Sequence, residues 1–420
     1  MDLNNIGEAE DRISELPDSL LHRILSFLDN KEVACTSVLS KRWSHIWTSI
    51  PTLVFPNLYH KSEINKFMDF VDRTLRLRDA SSNIQKIHIY MKQHFNASRV
   101  HSWISNITGR NVEKLDLWLN QREPFLIPSS LFTCESLITF ELIAYFIPLS
   151  IPKSFSLPKL KSLTLCGFHF IDDCWNQQHI SNCPVLENLI LDLNWFGVRN
   201  FCISTPVLKY LEIDHGVIED DDGLQNCVLK INAPNLASLT YRGCVAKEEQ
   251  QIGAAVSKFF QALTHVKSLT IYDVTLKAIS SADDFVNILP TFHNLEKLFL
   301  ELEETTDKSA FPLLKAAPTL THLIFNDHIH DNVEEDSWDG LMLTAGYLFQ
   351  HLRYVCFMRF NGNAREMRWL KLILKNAEDL QTVTIRSCVN SVVAKCKEGL
   401  MSELPSLPKA SSKYVLKFYQ

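Results

Sequence analysis

From Ile84 to Ile385 the chain repeats one short arrangement of positions, apolar-x-x-apolar-x-apolar, twelve times. It begins as Ile84-Gln-Lys-Ile87-His-Ile89 and Val112-Glu-Lys-Leu115-Asp-Leu117. It is still in phase at Leu352-Arg-Tyr-Val355-Cys-Phe357 and Leu380-Gln-Thr-Val383-Thr-Ile385. Successive starts lie 22 to 32 residues apart, with a mean of about 27. The last two apolar positions alternate as in a strand and point into a common core, while the residues between them face outward. One such strand cannot bury its apolar face alone; a stack of parallel strands joined by crossovers of about twenty residues can. Pro158, Pro184, Pro206, Pro234 and Pro318 each stand two residues before the first leucine of a unit, where proline stops the preceding turn without removing a ladder donor. The pattern therefore predicts an α/β solenoid of parallel strands with irregular helical or loop crossovers. An asparagine after every strand is largely missing, and Asn194 is among the few candidates.

The first fifty residues follow a different period. Leu20, Leu21, Ile24, Leu25 and Leu28 recur at helical spacing and form a broad apolar stripe. Pro17 suits the first turn of that helix, and Asp18 complements its positive end. Asp29 or Asn30 can cap a second helix, Lys31 to Leu39. Ser40 can cap a third that carries Trp43 and Trp47 on one face. Three short helices in about forty residues make a core too small to stand alone. The large apolar residues beyond it suit either a partner helix or the rest of the same chain.

Between these regions, Ile64, Phe67, Met68, Val71 and Leu75 fall on one helical face within Ser62 to Arg78. Such a helix is expected to cover the first strand of the solenoid and join the N-terminal helices to it rigidly. No Gly/Ser-rich linker occurs there.

The order Leu16-Pro17-x-x-Leu20-Leu21-x-x-Ile24-Leu25-Ser26-Phe27-Leu28, then Ser37-Val38-Leu39-Ser40-Lys41-Arg42-Trp43, resembles an F-box in the form common in plants. Asp29-Asn30-Lys31-Glu32 departs from relatives that often carry proline there. The period of the following units lies in the leucine-rich-repeat range. Beyond Gly340, Phe360-Asn-Gly362, Trp369-Leu-Lys-Leu-Ile-Leu-Lys-Asn-Ala377 and Leu404-Pro-x-Leu407-Pro408 are similar to the FBD region that follows leucine-rich repeats in many plant F-box proteins. The expected organisation is an F-box over 11–55, a connecting amphipathic helix over 56–83, leucine-rich repeats over 84–339 and an FBD-like cap over 340–420. The resemblance implies the substrate-recognition subunit of a Skp–cullin–F-box ubiquitin ligase, docked on a Skp-family adaptor and through it on a cullin. Carried over by position, the adaptor-facing residues are Leu16, Pro17, Leu20, Leu21, Ile24, Leu25, Val38 and Trp43, with Trp47 turned toward the following domain. Among outward strand positions Trp118, Ile190, Tyr210, Phe299 and Ile324 are candidate anchors for a target protein, unless loops or the terminal region cover them. The alternative is an interaction scaffold or inhibitor that degrades nothing.

Composition narrows this picture. Lys plus Arg total 42 against 48 Asp plus Glu, a formal charge of −6 that argues against nucleic acid as a main partner. No apolar run reaches 18 residues, so no membrane span is expected. The acidic start Met1 to Arg12 does not read as a secretory signal. Eleven cysteines, never spaced CxxC, read as reduced buried thiols of a cytosolic or nuclear protein. Asn96 and Asn106 match the glycosylation pattern only by chance. Catalytic or metal chemistry finds little support. His328 and His330 between Asp327 and Asp331, Glu219 to Gly223, Glu301 to Glu304 and Glu334 to Asp336 read as solvated loops, and no metal, cofactor or catalytic residue is expected.

Overall fold

The computed structural model describes residues 13–55, 63–79, 81–91, 94–120, 127–147, 154–168, 174–175, 179–180, 182–192, 200–214, 228–243, 256–280, 287, 289–302, 307–326, 329, 345–387, 410–411 and 414–419. They belong to two compact units, Met1–Ile171 with Gln178–Leu186, and Asp172–Gln177 with Glu187–Gln420.

The first unit opens with helices α1 (Asp18–Leu25), α2 (Asn30–Cys35) and α3 (Trp43–Ile46), with a short 3₁₀ turn, Thr36–Val38, after α2. Strands β1 (Thr52–Phe55), β2 (Lys86–Met91), β3 (Lys114–Asn120), β4 (Thr139–Ile147) and β5 (Ser162–Phe168) then lie side by side in chain order, all parallel. Helices α4 (Ile64–Leu77) and α5 (Ala97–Thr108) form the first two crossovers. Each side chain of the repeating pattern sits beside its equivalent: Leu53, Ile87, Leu115, Phe140 and Leu163 form one buried row, and Phe55, Ile89, Leu117, Leu142 and Leu165 the next.

The connecting helix differs from expectation in its place. It does not cap a terminal strand; α4 crosses from β1 to β2, and Phe67 and Phe70 meet the ring of Phe55 edge-on at 6.3 and 5.9 Å. The reason is a further copy of the pattern, Ile50-Pro-Thr-Leu53-Val-Phe55, inside the N-terminal segment. The helical module therefore runs directly into the sheet. Buried Asn30 strengthens the junction, its Oδ1 accepting the Val54 N–H at 2.7 Å. Asp29 accepts the N–H groups of Lys31 and Glu32 at 2.8 Å each while Glu32 accepts that of Asp29, so the departure Asp29-Asn30-Lys31-Glu32 is a capping box plus a strand anchor.

The second unit holds β6 (Cys174–Trp175), β7 (Asn188–Asp192), β8 (Asn200–Ser204), β9 (Tyr210–Asp214), β10 (Val228–Asn232), β11 (Ser238–Arg242), β12 (Ser268–Ile271), β13 (Lys297–Leu300), β14 (His322–Phe325), β15 (Tyr354–Phe357), β16 (Thr382–Arg386) and β17 (Val415–Tyr419). The order β7-β9-β11-β12-β13-β14-β15-β16-β17 is again parallel and in register, from Leu189 through Leu239 and Leu323 to Leu416. Early crossovers are strands, and β10-β8-β6 pair into a small second sheet. Later ones include the helices Asp273–Ser280, Asp307–Ala316 and Ala364–Asn376. All twelve predicted units form strands. β17 is an addition that the pattern does not announce, because Lys413 stands where the first leucine belongs. Asn194, Asp327, His328, His330, Asp331, Glu219 to Gly223, Glu303 to Glu304, Glu334 to Asp336 and Leu404 to Pro408 lie outside the described residues.

Stacking is held by one recurring backbone device. The carbonyl of the residue after the first leucine accepts two N–H groups from the next strand's entrance. Gln85 takes those of Glu113 and Lys114, Glu113 those of Ile138 and Thr139, and Ile138 those of Lys161 and Ser162. In the second unit Lys209, Ala237, Lys267, Glu296, Thr321 and Arg353 do the same. Four of the five marked prolines occupy the second position of a tight turn closed by the first leucine, as in Leu160 N–H to Leu157 O at 3.1 Å and Leu320 N–H to Ala317 O at 3.2 Å. Leu186 to Cys183 and Leu236 to Ala233 close the other two.

In the second unit, Arg365 on the helix Ala364–Asn376 is buried against equally buried Asp307, its Nε and Nη2 each 2.9 Å from Oδ1. Trp369 donates to the same oxygen at 2.7 Å, and Arg365 Nη1 reaches the carbonyl of Leu302 at 3.2 Å. Removing one partner of such a pair leaves the other charged, buried and unmatched. Asp307→Ala should therefore lower the unfolding free energy of this unit by about 3–5 kcal/mol. Lys267→Ala, which breaks a solvent-exposed pair with Glu296, should change it by less than about 1 kcal/mol. Urea titration followed by circular dichroism compares the two variants.

Candidate adaptor-docking and target-facing surfaces

The stripe of α1 divides between two faces. Leu21 and Leu25 point inward and are buried with Val33, Trp43, Ile46, Ile50 and Leu53. Leu20 and Ile24, one residue earlier in each turn and so about 100° around the helix, are 50% and 43% exposed, and Phe27 is 77% exposed. Val38 at 86% and Leu39 continue the solvent-facing apolar set, with Ile13 and Pro17 also exposed and Leu16 half-buried. The structure thus corrects the placement of three predicted adaptor-facing residues: Leu21, Leu25 and Trp43 form the module's own core. The outward residues are Leu16, Pro17, Leu20, Ile24 and Val38. Trp47 is half-buried.

The order Arg42-Trp43 acts as a bracket for the Leu-Pro turn. Trp43 Nε1 donates to Ser14 Oγ at 2.9 Å. Arg42 reaches the carbonyl of Ser14, that of Leu16 at 2.6 Å, and the carboxylate of Asp18. The hydrogen bond from Arg42 holds the fully exposed Asp18 carboxyl below its usual range. His22 Nε2 and Ser49 Oγ, 3.0 Å apart, tie α1 to the turn that follows α3. Pro17 stands at the cap, one position before the expected first turn, and its carbonyl accepts the N–H groups of Leu20 and Leu21. Phe27 and Leu39 are outward residues that position-by-position reasoning passed over. The signal for Phe27 was present, since it follows Leu20 by seven and Ile24 by three.

On the outward face of the first unit, Trp118 is half-buried and its Nε1 donates to Glu141 Oε1 at 3.0 Å. Tyr90, its register partner on β2, holds its ring 5.0 Å away. His88 lies 3.6 Å from Asp116. Tyr90, His88 and Glu141 were not singled out from the sequence, although strict alternation along β2 and β4 places them there.

On the outward face of the second unit, Tyr210 is exposed, whereas Ile190 and Phe299 are half-buried. Ile324 is buried, flanked in register by Phe299 and Cys356, so it cannot serve as an open anchor. Glu212 is pushed up by burial and by neighbouring Asp214. Burial and the same carboxylates, with Glu301, raise Tyr272. Arg242 pairs with Asp214 at 3.6 Å and lies over the Tyr272 ring at 5.1 Å. Farther along, burial and Lys297 lower His322, whose ring is 5.4 Å from that of Tyr354. Among the described residues no three or more His, Cys, Asp or Glu side chains are grouped to hold a metal, and no helix is long and apolar enough to cross a membrane. Cys134, Cys183 and Cys356 are free and buried, and desolvation pushes Cys183 up to about 11.

These features define a leucine-rich-repeat protein with a helical module fused to the start of its sheet. The F-box domain model matches residues 13–55, the leucine-rich repeats of FBD-associated F-box protein At5g56370 match 100–300, and the FBD model matches 347–385. Similar Arabidopsis thaliana proteins include F-box/LRR-repeat protein At4g14103, 32% identical over 78% of this chain and 94% of its own length. FBD-associated F-box protein At3g52670 is 29% identical over 97% of both chains. F-box/LRR-repeat protein 13 is 28% identical over 97% of this chain and 96% of its own. The chain belongs to the plant F-box/FBD/leucine-rich-repeat family.

The two faces of α1 predict opposite mutational outcomes. Trp43→Ala should destabilise the helical module by about 3–5 kcal/mol. Leu20→Ser, on the outer face, should change stability by less than about 0.5 kcal/mol. Thermal unfolding of the two variants beside the parent chain measures the difference.

Proposed function

We propose that the protein is the substrate receptor of a Skp–cullin–F-box ubiquitin ligase. The F-box docks a Skp-family adaptor, and through it a cullin, while the repeats hold a target protein. The observation that carries the reading is the outward set Leu20, Ile24, Phe27, Val38 and Leu39 on a module whose own core is already filled. Exposed aliphatic and aromatic side chains grouped on one small module suit a helix-on-helix interface. Leu16 and Pro17, held in place by Arg42 and Trp43, extend the same surface.

In this reading catalysis is by proximity. The receptor holds a target beside a ubiquitin-charged enzyme bound elsewhere in the complex and supplies no acid, base or nucleophile. Trp118, Tyr210, Ile190 and Phe299 are the proposed target contacts, Ile324 being excluded by its burial. The work is assigned to the cytosol or nucleus, where free buried cysteines such as Cys134 and Cys183 stay reduced.

Co-expression with a Skp-family adaptor, followed by size-exclusion chromatography, tests the docking. The parent chain should elute as a stoichiometric complex. Leu20→Asp with Ile24→Asp should weaken it at least about 100-fold while leaving the circular dichroism unchanged. Adaptor retained at parental strength by the double variant would sink the assignment. A folded parent chain that never binds adaptor would leave a non-degradative repeat scaffold.

A further inference from the structure

We propose that the outward face of β2, β3 and β4 is a seat for a single cationic side chain, lysine or arginine, of the bound target. The proposal deepens the receptor reading and rests on it. Tyr90 and Trp118 are register neighbours with ring centroids 5.0 Å apart and planes inclined by 42°. The indole N–H donates to Glu141 at 3.0 Å, which fixes the ring, and Trp118 remains half-buried rather than covered at this face. Asp116 and Glu141 are themselves register neighbours on β3 and β4, one row from the aromatic pair, and His88 completes that row 3.6 Å from Asp116 with its ring stacked 6.5 Å from that of Tyr90. Rows two residues apart on a strand are about 6.6 Å apart, so a long cationic side chain lying across the rings brings its head within reach of both carboxylates.

The chemistry of the patch selects the occupant. A ring face attracts a cation through its quadrupole, and partial desolvation strengthens the attraction. Carboxylates beside the rings add charge complementarity and repel an acidic ligand. The second unit displays the same recognition within the chain: Arg242 lies 5.1 Å over Tyr272 and 3.6 Å from Asp214. Lys86 and Lys114 occupy the next row of the first unit's face, toward the strand entrances. They disfavour a uniformly basic segment, so the seat reads one cation in an otherwise neutral or mixed-charge stretch.

The test uses the full chain in its adaptor complex and an array of twelve-residue peptides. Each peptide carries lysine, arginine, glutamine or glutamate at one fixed central position in a degenerate uncharged background. The complex should retain the lysine and arginine pools about tenfold more strongly than the glutamine pool, and glutamate least. Trp118→Ala and Asp116→Asn with Glu141→Gln should each remove most of that preference. Trp118→Phe, which keeps a ring, should preserve part of it. Adaptor binding by every variant verifies folding. Peptides captured with no central preference, or with a preference untouched by these variants, overturn the seat but leave the target-binding reading standing. No retention of either basic pool at millimolar peptide also overturns it. Loss of the adaptor complex in the parent chain is the separate failure of the receptor reading.

Discussion

Within each unit the solenoid depends on one constraint: a strand enters the sheet at the same register as its neighbour. The bifurcated carbonyls that recur from Gln85 to Ile138 in the first unit and from Glu187 to Arg353 in the second enforce this, because two consecutive N–H groups reach one oxygen when neighbouring units stand level. Once level, apolar rows align without further specification, and Leu211, Leu239, Leu269 and Leu298 stack as a continuous buried spine. A slip by one residue would put that row on the outer face. The same device explains how the stack tolerates the loss of an asparagine ladder, since the main chain makes its own rungs. It also lets crossovers vary freely, from the helix α5 to the strands β8 and β10, because they need only return the chain to the same entrance.

The helical module obeys that rule at its end rather than along its length. Its last segment becomes β1, so F-box and repeats share the same backbone pairing. What remains for the module is a division of one helix between two tasks. Leu21 and Leu25 bury surface within the chain, at roughly 1.5–3 kcal/mol per side chain. Leu20 and Ile24, displaced by one residue, do not contribute that amount until something covers them. In the proposed receptor, stability and association are thereby separable on a single helix, a consequence of 3.6 residues per turn.

Much of this was legible in the sequence, for a physical reason. Period-two alternation locked to a 27-residue spacing admits few arrangements other than stacked parallel strands, and each of the twelve units did form one. What was missed lay where a second signal masked the first. Ile50 to Phe55 carries the repeat spacing, yet it falls inside a segment dominated by helical cues. β17 lacks the leading leucine and pairs with β16 at the end of the strand order. On α1 the broad stripe announced that both faces were apolar without saying which would find partners in the chain. That assignment depends on where α3 and Trp43 come to rest, a tertiary fact with no local trace. Ile324 failed for the related reason that alternation predicts the side of a sheet and not what its neighbours Phe299 and Cys356 will cover.

The FBD region follows from the same physics. β15, β16 and the helix Ala364–Asn376 repeat the strand-and-crossover unit, so this region continues the stack and is not a separate fold. Its distinction is polar. Glu366 caps its helix by accepting the N–H groups of Asn361, Gly362 and Asn363, while Arg365 locks onto Asp307 58 residues earlier. Apolar packing would hold that helix as firmly but would accept several rotations of it. A buried guanidinium that must meet one carboxylate and one carbonyl accepts a single placement, because any other leaves a charge without its partner. The lock therefore ties the crossover helix that follows β13 to the one that follows β15, and fixes both against the strands β14, β15 and β16 between and beside them.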